Sequence, residues 1–178
     1  KLASILAYIE ETERSIYDSV DTGDGEYKFY SELMKDHKPG GYGKITIKEI
    51  FEKSSNIGVA KMIDETFNRS PQKFLDYLRK FGFNDNFDFQ IFGSSKPQIK
   101  NSEDSTWSKV SLPWIAHGYE LMLTPLHTLS FYNAVANRGI YIEPRIVKHV
   151  KSANRLIEKF DNFKTKNIAG IKSINTVK

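Results

Sequence analysis

Residues 45–61 read ITIKEIFEKSSNIGVAK, and two predicted helices meet within this stretch. Thr46, followed three residues later by Glu49, fits a capping box, which predicts that a short helix begins near Thr46. Apolar residues then recur at the helical period, so residues 57–68 are predicted to form a second helix with one buried face. The Ser-Ser-Asn triplet at 54–56 therefore lies at a helix junction, with a hydroxyl and a carboxamide facing outward side by side.

The triplet makes Ser54 and Asn56 candidate functional residues. A serine hydroxyl can pass a proton between two groups, and an asparagine carboxamide can hold the amide of a ligand. The ordinary alternative is that both residues only cap the adjoining helices, since Ser and Asn are favoured caps. The triplet alone leaves both interpretations open.

Length and composition describe one domain, or a large part of one, with enough apolar residues for a core: 178 residues, of which 39% are hydrophobic. The absence of cysteine excludes disulfides, thiolate metal sites and a cysteine nucleophile. The net charge is +4, but the charges are mixed along the chain, which favours a solvated lysine-rich surface over a nucleic-acid-binding site. The apolar runs are too short to cross a bilayer.

The rest of the chain alternates predicted helices with irregular segments. Two helix starts pair an N-cap residue with a proline at the first helical position. Two Gly-, Asp- or Ser-rich segments lack periodicity and are predicted to be long loops. The predicted elements are helices over residues 2–13 and from 71 and 125, loops over residues 18–43 and 84–112, extended chain from 140, and a short strand at 156–160.

Other constellations carry weaker signals. The Asp-Thr-Gly triplet at 21–23 matches one half of an aspartic-protease site, but no second copy exists, so a polar turn is favoured. None of the four histidines forms an i,i+4 pair or joins a carboxylate cluster, so no metal site is expected. Trp107, Trp114 and Tyr119 either line a groove for a ligand or anchor a long loop to the core.

A wider comparison of motifs identifies a family. Residues 45–61 closely resemble the second motif region of penicillin-binding protein transpeptidases, above all those of class B, the monofunctional enzymes of cell division and elongation. A second block is also similar to that family, with LPWIAHGYE at 112–120 followed by LTPLHT at 123–128. The pattern continues with YNAVANRG at 132–139 and PRIV at 144–147. The resemblance covers nearly the whole chain in the family's order.

The family's active site uses three motifs, Ser-x-x-Lys, Ser-x-Asn and Lys-Thr-Gly, and only the second is intact here. By resemblance, Lys1 is the lysine of the first motif, with the nucleophilic Ser three residues before it; the alternative is a frayed terminal lysine. Ser54 then relays a proton, and Asn56 binds the substrate amide. The resemblance implies that residues 1–178 are a partial transpeptidase domain, truncated before the first-motif Ser and before the Lys-Thr-Gly strand, and inactive alone. A second Ser-x-Asn match at 173–175 is expected to be chance.

The fold that the resemblance implies is a mixed α/β serine transpeptidase or β-lactamase-like fold. Residues 1–178 are expected to supply mostly its helical subdomain, with one or two strands. The implied activity is peptidoglycan cross-linking by a D,D-transpeptidase, in which a serine forms an acyl-enzyme. The alternatives are a β-lactam-sensing or β-lactamase-related domain and a non-catalytic scaffold of the same fold.

The resemblance also implies partners and a location. The expected partners are peptidoglycan stem peptides, β-lactam antibiotics, and other cell-wall synthesis or division proteins. No nucleic acid, metal or organic cofactor is expected. The implied location is the periplasmic face of the bacterial inner membrane, with an anchoring helix that precedes residues 1–178.

Overall fold

The computed structural model describes residues 1–87, 95–153, 155–160 and 164–178. Within those residues the helices are α1 (Leu2–Thr12), α2 (Ile47–Glu52), α3 (Asn56–Phe67), α4 (Pro71–Lys80), α5 (Ser111–His117), α6 (Pro125–Ala136) and α7 (Ile171–Val177). The strands are β1 (Ser19–Asp21), β2 (Glu26–Phe29), β3 (Glu32–Lys35), β4 (Lys44–Thr46), β5 (Gln98–Ile99), β6 (Leu121–Met122), β7 (Ile140–Ile142), β8 (His149–Ser152), β9 (Arg155–Lys159) and β10 (Thr165–Asn167).

The strands form antiparallel pairs rather than one large sheet. In the described residues the pairs are β1–β4, β2–β3, β5–β6, β7–β10 and β8–β9. The mixed α/β class predicted from the sequence is confirmed. The expectation of only one or two strands is wrong, because ten short strands lie within the described part of the chain.

The largest difference from the sequence prediction lies in residues 18–43, which were expected to be a long loop. This segment contains β1 and the β2–β3 hairpin, in which Phe29 pairs with Glu32 across a two-residue turn. The turn residue Tyr30 has a positive φ of 52° and replaces the glycine or asparagine that usually marks such a turn. The strands are three or four residues long, so their alternation of polar and apolar residues is too short to stand out.

The core is built around α1. Every residue from Leu2 to Ile9 is buried, because α3, α4 and α7 all pack against this helix. Ser4 satisfies its buried hydroxyl by donating to the carbonyl oxygen of Ala116 in α5, at 2.5 Å. Since Lys1 immediately precedes α1, this packing fixes the position of Lys1 against the rest of the domain.

The predicted capping box forms at the start of α2. The backbone N–H of Glu49 donates to Thr46 Oγ1 at 3.2 Å, and the N–H of Thr46 donates to Glu49 Oε2 at 2.9 Å. Glu49 also accepts from Lys53 Nζ at 2.6 Å, and these bonds lower the pKa of Glu49 to about 2, with the lysine as the largest cause. α2 therefore ends and begins where the sequence signals place it.

The later helices also begin at the predicted positions. Pro71 opens α4 and Pro125 opens α6, and Gly82 follows the end of α4 with a positive φ of 92°. In the described part of the chain, no helix combines the length and the apolar character that crossing a membrane requires.

Candidate active site

The Ser-Ser-Asn triplet forms the tight connection between α2 and α3. The N–H of Ser54 donates to the carbonyl oxygen of Phe51, and the N–H of Ser55 donates to that of Ile50, each at 3.0 Å. These two bonds close α2, and Ser54 then adopts the left-handed conformation, with a φ of 55°. The turn leaves Ser54 exposed and Ser55 fully buried. Ser54 therefore faces solvent, whereas Ser55 makes its contacts inside the protein.

Gly58 allows α2 and α3 to approach closely behind the triplet. A Cβ at this position would lie 2.7 Å from Cγ1 and 2.8 Å from Cδ1 of Ile50, which is fully buried. Any larger residue would therefore push the two helices apart. This packing explains a glycine that helix propensity alone disfavours.

Lys1 reaches the triplet from the start of α1. Its Nζ donates to Ser54 Oγ at 2.9 Å, to the carbonyl oxygen of Ser54 at 2.5 Å, and to Asn56 Oδ1 at 2.6 Å. An ammonium group carries three N–H donors, so these contacts use all of them. The structure thus brings together all three site residues predicted from the sequence, although Lys1 and Ser54 are 53 positions apart.

Asn56 is held at both ends of its carboxamide. While Oδ1 accepts from Lys1, Nδ2 donates to the carbonyl oxygen of Lys35 at the end of β3, at 3.1 Å. These two bonds fix the carboxamide with its oxygen towards Lys1 and its nitrogen towards Lys35. Since Nδ2 carries two hydrogens, one N–H is left to bind a carbonyl oxygen of a ligand.

The surroundings of Lys1 shift the pKa values of two ionisable groups. Burial lowers the pKa of the Lys1 amine, and the negative charge of Asp36 partly opposes that change. The imidazole of His117 lies nearby, and burial together with the positive charge of Lys1 lowers the pKa of His117 to about 4. A lowered pKa makes the Lys1 amine easier to deprotonate, and in its deprotonated form the amine can accept a proton and pass it on.

Asp36 is a buried part of the site that sequence reasoning missed. Its Oδ2 accepts from Ser55 Oγ at 2.7 Å, and its Oδ1 accepts from the backbone N–H groups of Asn56 at 2.6 Å and Ile57 at 3.1 Å. Asp36 follows β3 directly, inside the segment that was predicted to be a loop. No local pattern marks it, because its partners lie about 20 residues further along the chain.

A cleft of about 310 Å³ opens beside Lys1. The residues that line it include Leu121, Leu123 and Phe131, Tyr132 adds a ring, and polar atoms contribute about as much of its surface as apolar atoms. A cleft that combines apolar side chains with a few polar groups is the usual form of a small-ligand site. This cleft places such a surface next to the lysine.

The weaker sequence signals resolve differently. The 173–175 match lies inside α7, where its serine is buried. The 21–23 triplet ends β1 in a turn where Asp21 accepts from the N–H of Gly23. Among the described residues, no three His, Cys, Asp or Glu side chains are grouped as a metal would require.

The three aromatic residues serve different purposes. Trp114 packs edge-to-face on Phe29 of the hairpin, with ring centroids 6.4 Å apart, and Trp107 packs against the main core. These two contacts fit the anchoring interpretation. Tyr119 is 65% exposed, so its ring is available at the surface.

Comparisons with known proteins agree with this architecture. The profile described as penicillin binding protein transpeptidase domain matches residues 1–174. The penicillin-binding protein PbpB of Mycolicibacterium smegmatis is 31% identical over 103 residues, which cover 58% of this chain and 15% of that protein. The peptidoglycan D,D-transpeptidase FtsI of Escherichia coli K12 is 26% identical over 107 residues, which cover 60% of this chain and 17% of that protein.

A solved structure shows the same fold. Penicillin-binding protein 3 from Mycobacterium tuberculosis, complexed with aztreonam, superposes with a TM-score of 0.84 at 22% identity. The superposition covers 99% of this chain and 38% of that chain. The predicted transpeptidase fold is therefore confirmed, and the chain spans well under half the length of these relatives.

Proposed function

The chain belongs to the penicillin-binding protein transpeptidase family, with class B proteins as its relatives, and from this premise we propose that the complete protein is a peptidoglycan D,D-transpeptidase. The observation that carries the proposal is the contact of Lys1 Nζ with Ser54 Oγ and Asn56 Oδ1, at 2.9 and 2.6 Å. A base, a hydroxyl relay and an amide-binding group then lie within one hydrogen-bonded cluster. Acyl transfer through a serine ester needs each of these groups.

In the proposed first step, a serine three residues before Lys1 attacks the carbonyl carbon between the two terminal D-alanines of a stem peptide. The serine proton passes to Lys1 in its deprotonated form, and burial favours that form by lowering the pKa of the amine. The C–N bond then breaks, and Ser54 Oγ delivers the proton to the departing nitrogen. The products are an acyl-enzyme and free D-alanine.

In the second step, an amine of a neighbouring stem peptide attacks the ester. Its proton returns through Ser54 and Lys1 to the serine oxygen, which leaves as the hydroxyl. Asn56 contributes by position: its remaining Nδ2 hydrogen binds the amide carbonyl of the donor peptide and holds the acyl group in line. The two proposed steps require neither a metal nor an organic cofactor.

We assign residues 1–178 to the part of the domain that carries the lysine and the Ser-x-Asn motif. We propose that the nucleophilic serine and the Lys-Thr-Gly strand belong to other parts of the complete protein, and we expect the 178-residue chain alone to be inactive. β-Lactams are the proposed inhibitors, a proposal supported by the aztreonam complex of the M. tuberculosis relative. The proposed setting is the periplasmic face of the inner membrane, with other cell-wall synthesis proteins as partners.

The proposal is tested by covalent labelling of the complete protein with a fluorescent penicillin. Ser54→Ala should slow acylation by at least about 100-fold, since it removes the proton relay and no core packing. Ser105→Ala is the matched control, because Ser105 is also exposed and lies outside the site; it should label within about two-fold of the parent.

Three results would contradict the proposal. Labelling of Ser54→Ala at the parental rate would remove Ser54 from the mechanism. Robust labelling of the 178-residue chain would show that the nucleophile was assigned to the wrong part of the protein. Rapid release of hydrolysed penicillin by the complete protein would favour a β-lactamase over a transpeptidase.

A further inference from the structure

Asp36 provides the start of α3 with hydrogen-bond acceptors that α3 itself lacks. The first backbone N–H groups of a helix have no intrahelical acceptor. Ser55, the N-cap, accepts only from the N–H of Gly58, at 2.9 Å. The carboxylate of Asp36 accepts from the two N–H groups that precede Gly58 in the first turn of α3, those of Asn56 and Ile57. A negative charge at this end is also favoured by the helix dipole.

The same carboxylate fixes the residue between the two motif side chains. Ser55 Oγ donates its single hydrogen to Asp36 Oδ2 and accepts from Gly58, so its hydroxyl has a defined direction. Ser55 is fully buried and Asp36 is 9% exposed, so this contact is protected from water. Ser54 and Asn56 therefore lie on either side of Ser55, whose hydroxyl is hydrogen-bonded to Asp36.

The hairpin that carries Asp36 also controls the carboxamide. Lys35, the residue before it, supplies the carbonyl oxygen that binds Asn56 Nδ2. That contact directs Asn56 Oδ1 towards Lys1 Nζ. The end of β3 thus contacts the backbone of the motif through Asp36 and the side chain of the motif through Lys35.

We propose that Asp36 is a positioning residue of the acyl-transfer site, which sets the placement of Ser54 and Asn56 relative to Lys1. The proposal rests on the function assigned above and extends it to a residue 18 positions before the motif. Asp36 touches neither substrate nor reacting atoms; it acts through Ser55 and the first turn of α3, and its charge also raises the pKa of the Lys1 amine. A misplacement of about 1 Å at a reacting group can slow a reaction by about 100-fold.

The experiment compares three variants of the complete protein with fluorescent penicillin. Asp36→Asn keeps the acceptor for the two N–H groups but replaces Oδ2 with a donor, so acylation should slow by about 10-fold. Asp36→Ala removes both acceptors, and acylation should slow by about 100-fold. Glu32→Gln is the matched control, since it makes the same charge change at an exposed position of the same hairpin, and it should stay within about two-fold.

The labelled fraction separates positioning from a merely structural role. Loss of positioning lowers the rate constant while the same fraction of molecules is finally labelled. A merely structural role lowers the labelled fraction, while the folded molecules react at the parental rate, and that result would overturn the proposal. Parental acylation in both Asp36 variants would overturn it too.

The Asn56 side-chain amide resonances provide a readout that does not depend on labelling. They should shift in Asp36→Asn and remain in place in Glu32→Gln. If the parent itself fails to label, the proposed acyl transfer is wrong, and these resonances still decide the positioning role. Unshifted resonances in Asp36→Asn would refute it whatever the labelling shows.

Discussion

Replacement of Ser54 by glycine and by alanine separates the conformation of this residue from its chemistry. Ser54 has a φ of 55°, and a left-handed conformation costs a residue with a side chain about 1–2 kcal/mol. Alanine keeps that cost and loses the hydroxyl that accepts from Lys1, so it should destabilise the domain by about 0.5–1.5 kcal/mol. Glycine relieves the strain but loses about 0.4–1 kcal/mol through the greater freedom of the unfolded chain.

Ser54→Gly should therefore be more stable than Ser54→Ala by about 0.5–1 kcal/mol, and close to the parent. Urea denaturation of the 178-residue chain measures this order, and penicillin labelling of the complete protein measures the chemistry. Both variants should lose acylation, because neither has a hydroxyl at position 54. A glycine variant no more stable than the alanine variant would refute the left-handed turn, and acylation by either variant at the parental rate would refute the relay.

Three further substitutions test the surroundings of the site. Gly58→Ala should destabilise the domain by about 1–3 kcal/mol in urea denaturation, because its Cβ would overlap the buried side chain of Ile50. The double variant with Ile50→Ala should lose less free energy of unfolding than the sum of the two single variants. In the folded protein the pKa of His117 is lowered to about 4 from its ordinary 6.5, so its contribution to stability is complete above pH 6.5 and is lost as the pH falls towards 4. His117→Phe should remove this loss of stability in acid denaturation, whereas His149→Phe, at an exposed position, should retain it. Thr46→Ala should cost about 1 kcal/mol in urea denaturation, since it removes the cap of α2, and an unchanged midpoint would contradict the capping box.

Local signals in the sequence predicted most of the helices correctly. A capping box at Thr46 and the proline starts at Pro71 and Pro125 depend on neighbouring residues, so they can be identified without the fold. The positions of Ser54 and Asn56 at a junction followed from the same reasoning. Their joint role did not, because a Ser-x-Asn triplet also occurs at 173–175, where the structure places it inside α7.

Two of the failures, β1 and Asp36, depend on contacts between distant segments. β1 pairs with β4 across more than 20 residues, and such a pairing gives a three-residue strand no local pattern of its own. The same limit hid Asp36, whose carboxylate is explained only by the N–H groups of α3. The contact of Lys1 with Ser54 spans 53 residues, and only the family resemblance joined the two before the structure placed them together.

Lys1 is proposed as the base that activates the serine, and the pH dependence of acylation in Lys1→Arg tests this role. Arginine keeps the positive charge and the length of the side chain but stays protonated at every accessible pH. In the parent, the acylation rate should rise with pH and level off above the pKa of Lys1, which burial places below 10.5. Lys1→Arg should acylate at least about 100-fold more slowly and show no such rise. Acylation of Lys1→Arg at the parental rate, with the parental pH profile, would contradict the account.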